Sequence, residues 1–340
     1  MFTTSVVVIG ALLVLLWWRA IDGALHALSI HGGRPYDERK ADRTSLGVLL
    51  TVIIVSAIML WPTSGPARSM VANAPAPPVA ARYTSDSLWI GPDTASIGSL
   101  PAEQAALVHY GRALILNTAA YLGPHGSVDQ RTNGMNCGNC HLEAGTKPWG
   151  NNYGAVRSQY PKFRERSGTT ESVAKRVNDC VERSLNGRAL DTTSKEMRAI
   201  LAYLDWVGTG VPTGQRPKGT GIRELAYLDR AADPKRGEGI FAAKCITCHE
   251  ADGQGRMNAD GLTYLYPPLW GPNSFNVGAG LLRLSRAAGY VHANMPQGTT
   301  WDRPQLTEEE AWDVAAYIVS QPRPSRDLSA DWPKLASKPV

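Results

Sequence analysis

The sequence predicts an all-α protein in which two tandem domains of one kind follow two N-terminal transmembrane helices. Three observations predict it. A pattern of leading helix, Cys-x-x-Cys-His, loop-rich stretch and closing helix occurs twice, around Cys137–His141 and Cys245–His249. No stretch sustains the period-two alternation of a half-buried strand. The N-terminal part holds two uncharged, almost wholly apolar runs, 2–18 and 46–61.

Each of those runs is short of the roughly 20 residues that cross a hydrocarbon core. Flanking residues such as Ala20, Ile21, Thr44 and Pro62 extend them. Met1–Ser5 carries no charge, which favours two retained helices over a cleaved signal peptide with its basic start. The intervening loop holds Arg19, Arg34, Arg39, Lys40 and Arg43, and the positive-inside rule places it in the cytoplasm. The expectation is a membrane anchor over 1–61, in a bacterial inner membrane, with the rest of the chain facing the periplasm.

Residues 62–95 form a Pro/Ala-rich linker, semi-extended because Pro62, Pro66, Pro75, Pro77 and Pro78 cannot continue a helix. A first domain is expected over 96–208, a Gly/Pro-rich linker over 209–234 and a second domain over 235–340. The leading helix of the first starts after Pro101 and ends at Gly123. The closing helices contain Ala202–Leu204 and Ala316–Ile318, and both begin with the pattern of a capping box, Thr193 with Glu196 and Thr307 with Glu310. They run out near Gly208 and Pro322. Composition is globular, with 43% hydrophobic and 19% charged residues. The net charge of +5 is modest and no aromatic–basic interleaving occurs, so a nucleic-acid partner is not expected.

Of five cysteines, four fall in the two motifs and Cys180 stands alone. The thiols of Cys137 and Cys140, and of Cys245 and Cys248, are spaced to add to the two vinyl groups of one haem. The adjacent His141 and His249 then reach the iron as proximal ligands. A zinc or thiol–disulfide site does not require that His. Two covalently bound haem c groups are the expected cofactors.

The sixth ligands follow by elimination. In the second half Met257 lies too close to the motif, and no Lys occurs between His249 and Lys334, which leaves His292 and Met295. Met295–Pro296, before a closing helix, resembles the Met ligand loop of class I cytochromes c, and Tyr266–Leu269 resembles the loop that packs on their proximal His. Met295 is therefore preferred. In the first half no His lies between Leu142 and Trp206, and Met197 sits at the start of the closing helix. Cys180 and a few lysines remain. Cys180 belongs to an expected amphipathic helix, 170–186, with a stripe of Val173, Val177, Val181 and Leu185. Arg176, Cys180 and Ser184 project together at steps of four. A small buried hydrophobe is what most unpaired cysteines are, yet a core cysteine does not ordinarily share its face with an Arg and a Ser, so ligation is preferred. From Arg157 to Arg188 there are eight basic and four acidic residues, which suits an anionic substrate. Haem-propionate contacts or a solvated face explain any single Arg equally well.

Three runs carry a resemblance: Cys137–Thr146, Tyr160–Gly168 and Arg176–Gly187. They resemble the dihaem thiosulfate dehydrogenases, and the likeness extends over roughly Leu100–Pro322. It implies His/Cys ligation at the first haem, with thiosulfate binding there and two thiosulfates joined into tetrathionate, possibly in both directions. By motif position it implies Cys180 as the ligand cysteine, Arg166 and Arg176 as anion-binding arginines, and Ser184 as a serine of the same pocket. Some relatives offer a Lys beside the second-haem Met, where this chain has Asn294. The electron acceptor implied is a cytochrome c or, given the expected anchor, a membrane-bound terminal oxidase of the respiratory chain. A non-catalytic dihaem electron-transfer subunit of a terminal oxidase or another respiratory complex is the alternative that the sequence leaves open.

Overall fold

Behind Pro101, which stands at its N-cap, an Ala/Leu-rich run winds into α1, Ala102–Leu116. Its neighbour in space is far along the chain. A computed structural model describes residues 83–338, which belong to one compact unit, and there α1 crosses the closing helix α3, Lys195–Val207. Val108, Leu114 and Ile115 pack with Met197, Ile200, Tyr203 and Leu204 in a fully buried core. The crossing is close because Gly111 has no side chain, and a Cβ there would stand 2.0 Å from the Ala199 carbonyl oxygen.

The second lobe repeats this crossing. Asp233 caps α4, Pro234–Lys244, accepting from the backbone N–H groups of Lys235 and Arg236. The helix α4 crosses α6, Glu308–Ser320, at Gly237, where a Cβ would stand 2.0 Å from the Asp313 carbonyl oxygen. The repeat legible in the sequence is thus a repeat of one helix crossing. Between these pairs lie α2, Val173–Arg183, and α5, Leu284–Asn294. Ser172 caps α2 by accepting from Lys175 N–H, and Val173, Val177 and Val181 turn into the first core as their spacing predicts.

The lobes pack on each other. Met135 and Leu185 from the first and Phe275 and Ala279 from the second form one buried cluster. Asn276 Nδ2 donates to Glu182 O at 2.8 Å and to Asn186 Oδ1 at 2.9 Å. Beyond α6 the chain returns to the first lobe as a strap, where Trp332 N–H donates to Arg166 O at 2.7 Å.

Two expectations are corrected. The fold is not all-α, because Lys162–Arg164 pairs antiparallel with Thr169–Glu171, and Arg256–Met257 with Tyr264–Tyr266. Strands of two or three residues are too short to show an alternation. The inner-membrane assignment is also corrected. Among the described residues no helix is long and apolar enough to cross a membrane, and the expected spans, 2–18 and 46–61, lie outside the described residues. A smaller difference concerns α3, which is capped by Ser194 rather than Thr193. The Thr193 hydroxyl is taken by Asp191, and Glu196 accepts instead from the Tyr110 hydroxyl at 2.9 Å. The capping box at Thr307 and Glu310 forms as expected.

Candidate functional site

Cys137–Cys140 is a single helical turn, held by Cys137 N–H donating to Thr118 Oγ1 at 2.9 Å and Asn136 N–H donating to Asn139 Oδ1 at 2.7 Å. His141 follows at its end. Its Nδ1 is bonded to the Asn151 carbonyl, and its ring stacks on Tyr153 with centroids 4.4 Å apart. A carbonyl partner at Nδ1 fixes the tautomer with the proton there, which leaves the Nε2 lone pair free to bind a metal. Burial, offset in part by that bond and assisted by the charge of Arg176, pushes His141 down to about 4, so the ring is neutral at pH 7.

His141 and Cys140 line a cavity of about 290 Å³ together with Cys180, Arg176 and Ser184. The one-turn spacings in α2 therefore bring these three side chains to one wall. Six cations line the cavity and no carboxylate does: Lys162, Arg164, Arg176, Arg216, Arg283 and Arg286. The charge of a Cys180 thiolate raises Arg176, outweighing the opposite effect of burial. Burial lowers Arg283, and the charges of Arg286, Arg164, Arg166 and Arg176 add to that effect.

Arg166 is not part of that lining. It lies beside an adjoining recess shared with Arg183, and both are taken by one carboxylate of the strap. Asp331 accepts from Arg166 Nε at 2.8 Å and from both terminal nitrogens of Arg183 at 2.8 and 2.9 Å. Sequence reasoning missed Asp331, Arg216, Arg283 and Arg286, because its search for first-site cations stopped within the first half. The pair Arg283 and Arg286, one turn apart, is the signal that a search of the second half would have met.

The second site is differently made. His249 Nδ1 is bonded to the Pro267 carbonyl at 3.0 Å, so the Tyr266–Leu269 loop packs on His249. Burial, opposed by that bond, lowers His249. Cys245, Cys248, His249 and Met295 line a cavity of about 440 Å³, walled by apolar residues that include Leu269, Phe275, Val291 and Ile318. His292 is buried, its Nδ1 has no hydrogen-bond partner among the described residues, and it does not line this cavity. Asn139, Cys140, Leu142 and Lys147 of the first lobe also line the second cavity, so Cys140 borders both. The Tyr290 hydroxyl donates to Asn139 O at 3.3 Å across the same boundary.

Both sites fit a covalently bound haem. In the first, Cys140 and a His anchored through Nδ1 edge a cavity that Cys180 also lines; in the second, Cys245, Cys248 and a His anchored through Nδ1 edge a cavity that Met295 also lines. The thiols of Cys140 and Cys245 are pushed up by burial, to about 12 and about 11. Among the described residues no cluster of His, Cys, Asp and Glu forms a separate metal site.

Comparisons with known proteins agree with this arrangement. Residues 127–213 match the SoxA/TsdA cytochrome c domain family, and residues 234–322 match the cytochrome c family. The chain is similar to the thiosulfate dehydrogenase of Allochromatium vinosum, 41% identical over 218 residues that cover 63% of this chain and 77% of that one. The thiosulfate dehydrogenase of Stutzerimonas stutzeri is 38% identical over 226 residues, covering 66% and 70% respectively. Among solved structures, the thiosulfate dehydrogenase TsdBA of Marichromatium purpuratum, as isolated, is similar with a TM-score of 0.63 and 31% identity. That match covers 74% of this chain and 51% of the longer TsdBA chain, of which this chain spans about half. Two cytochrome c domains of this kind carry two covalently bound haem c groups.

Proposed function

The chain belongs to the thiosulfate dehydrogenase family, and from that premise we propose that thiosulfate is oxidised in the cavity at Cys180, with electrons leaving through the second site. The reaction joins two thiosulfates into tetrathionate with release of two electrons. Bound haem supplies one-electron acceptance at each site, two in all. In this reading His141 and, between turnovers, Cys180 would hold the first haem iron, and His249 and Met295 would hold the second. Residues 96–208 form the catalytic domain, 209–234 a linker, and 235–340 the electron-transfer domain.

The chain's own residues divide the work. Arg176 neutralises the sulfonate and Ser184 donates a hydrogen bond to it, which orients the sulfane sulfur toward Cys180. A Cys180 thiolate and one thiosulfate form a sulfur–sulfur bond with loss of two electrons. The sulfane sulfur of a second thiosulfate then attacks the bound sulfane sulfur, releasing tetrathionate and restoring the thiolate. Arg166 acts from the adjoining recess, held there with Arg183 by Asp331. The same charges recognise tetrathionate, so the cavity serves the reverse direction too. For the outgoing electrons the proposed acceptor is a cytochrome c, a reading supported by exposed Ile246 and Leu265 beside the second site, with Leu265 on the cavity wall.

The observation that carries this reading is a sulfur-edged cavity with six cations and no carboxylate in its lining. The test is steady-state turnover of the dihaem protein with thiosulfate and an artificial one-electron acceptor. One tetrathionate is expected for every two thiosulfates consumed and two acceptors reduced. A protein that accepts electrons from dithionite but not from thiosulfate would refute it.

A further inference from the structure

Arg176 and Arg283 stand out within the cavity. Of the other arginines that line it, Arg164 faces Glu171 at 3.9 Å and Arg286 pairs with Glu224 at 3.2 Å, whereas Arg216, with no ion pair among the described residues, is exposed; in the adjoining recess Arg166 is bound by Asp331. Among the described residues neither Arg176 nor Arg283 has a carboxylate within ion-pair distance, and Arg283 Nε is buried without a hydrogen-bond partner. They come from opposite lobes, Arg176 on α2 and Arg283 just before α5, and they line one cavity. A buried guanidinium nitrogen without a partner is costly, because its N–H loses water and gains nothing in return.

We infer that Arg283 binds the second thiosulfate, facing the one held by Arg176, so that the electron-transfer lobe completes the substrate site of the catalytic lobe. The inference rests on the reading of the cavity given under Proposed function. Three features support it. Each thiosulfate is a dianion, and bringing two of them sulfur to sulfur needs cation on both sides of the forming bond. The backbone beside Arg283 is fixed, since Leu281 and Leu282 pack into the inter-lobe cluster of Met135, Leu185, Phe275 and Ala279. The guanidinium is therefore held at the cavity before substrate arrives, which lowers the entropy lost on binding. Burial and the neighbouring arginines also make its charge unfavourable in the absence of an anion.

A haem propionate is the rival partner. One haem brings two propionates against six lining cations, so most of those cations remain for other anions. The rival also differs in what it predicts. Loss of a propionate contact moves the reduction potential of the haem, whereas loss of a substrate contact moves substrate affinity alone.

The test compares the wild-type dihaem protein with Arg283→Gln and Arg283→Lys. The readouts are haem content, both haem potentials by redox titration, the KM for thiosulfate, and the inhibition constant of tetrathionate. For Arg283→Gln, KM and the tetrathionate constant should rise on the order of ten- to a hundredfold, the range expected for one lost charge-assisted contact. Haem content and both potentials should hold, and Arg283→Lys should recover part of the loss. An unchanged KM in Arg283→Gln overturns the inference, and a shifted first-haem potential with unchanged KM assigns Arg283 to a propionate instead. Wild-type protein that fails to turn over thiosulfate overturns the functional reading first, and this inference with it. Should Arg283→Gln lose haem or fail to fold, Arg283→Lys and Arg283→Met carry the same comparison.

Discussion

The two haem sites share a helix crossing, a Cys-x-x-Cys-His turn and a His tied through Nδ1 to a backbone carbonyl. Their cavities nevertheless differ in kind. The first is edged by Cys180 and six cations, the second by Met295 and an apolar wall. An apolar wall excludes water and holds a thioether-ligated site at high potential, which suits electron transfer. A cationic wall with a sulfur in it suits an anion, and on the proposed reading that is where thiosulfate is oxidised. On that reading one scaffold yields an enzyme and a wire, and the difference lies in a few side chains, some of them borrowed across the lobe boundary.

The comparison breaks most sharply at Cys180. Cys180→Gly should eliminate thiosulfate turnover, by the several powers of ten that loss of a reacting group removes, while haem content stays at two per chain by pyridine haemochrome assay. Met295→Ala tests the other side. It should lower the potential of the second haem and slow steady-state turnover, yet leave the thiosulfate KM near the wild-type value. His292→Ala should do neither, because His292 does not line the second cavity. If His292→Ala lowers the potential and Met295→Ala does not, the ligand assignment is wrong.

Arg176→Ala should lower kcat/KM for thiosulfate by about one to two powers of ten, equivalent to about 1.5–3 kcal/mol for a charge-assisted contact. Electron acceptance from dithionite should be unaffected. The smallest expected effect lies at the strap. Asp331→Ala leaves Arg166 and Arg183 without their shared anion. It should cost about 2 kcal/mol, between exposed and fully buried pairs. Thermal unfolding should fall by about 3–4 °C for a chain of this size. Burial alone would raise the Asp331 carboxyl, but hydrogen bonds from Arg183 and Arg166 and their charges prevail and lower it. A lowered carboxylate stabilises the fold above its unfolded value near 3.8, and that stability is lost as pH falls through the folded value beneath it. Wild-type and Asp331→Ala thermal stabilities should therefore converge below about pH 4.

How much of this the sequence carried depended on range. The Cys-x-x-Cys-His turns, the Val stripe of α2 and the one-turn alignment of Arg176, Cys180 and Ser184 are local and were legible. So was the loop on His249, since Pro267 lies only 18 residues along. The hairpins were not legible, being two or three residues long. Asp331 and Arg283 reach the first site from the second half through packing that no spacing encodes. For that reason Arg166, placed by motif beside the substrate, turns out to be already engaged by a residue 165 positions away. A pure electron conduit would have no use for the cationic wall, and the alternative role as a non-catalytic oxidase subunit gains nothing from this geometry.

The most direct test of the central claim, that oxidation occurs at the first cavity while the second only passes electrons on, is rapid mixing of oxidised protein with thiosulfate, followed at the haem α-bands. The account predicts that Met295→Ala still shows haem reduction and tetrathionate formation within a single turnover, whereas Cys180→Gly shows neither, although dithionite reduces both haems of each variant. Thiosulfate-driven reduction that survives in Cys180→Gly and disappears in Met295→Ala would place the chemistry at the second site and contradict the account.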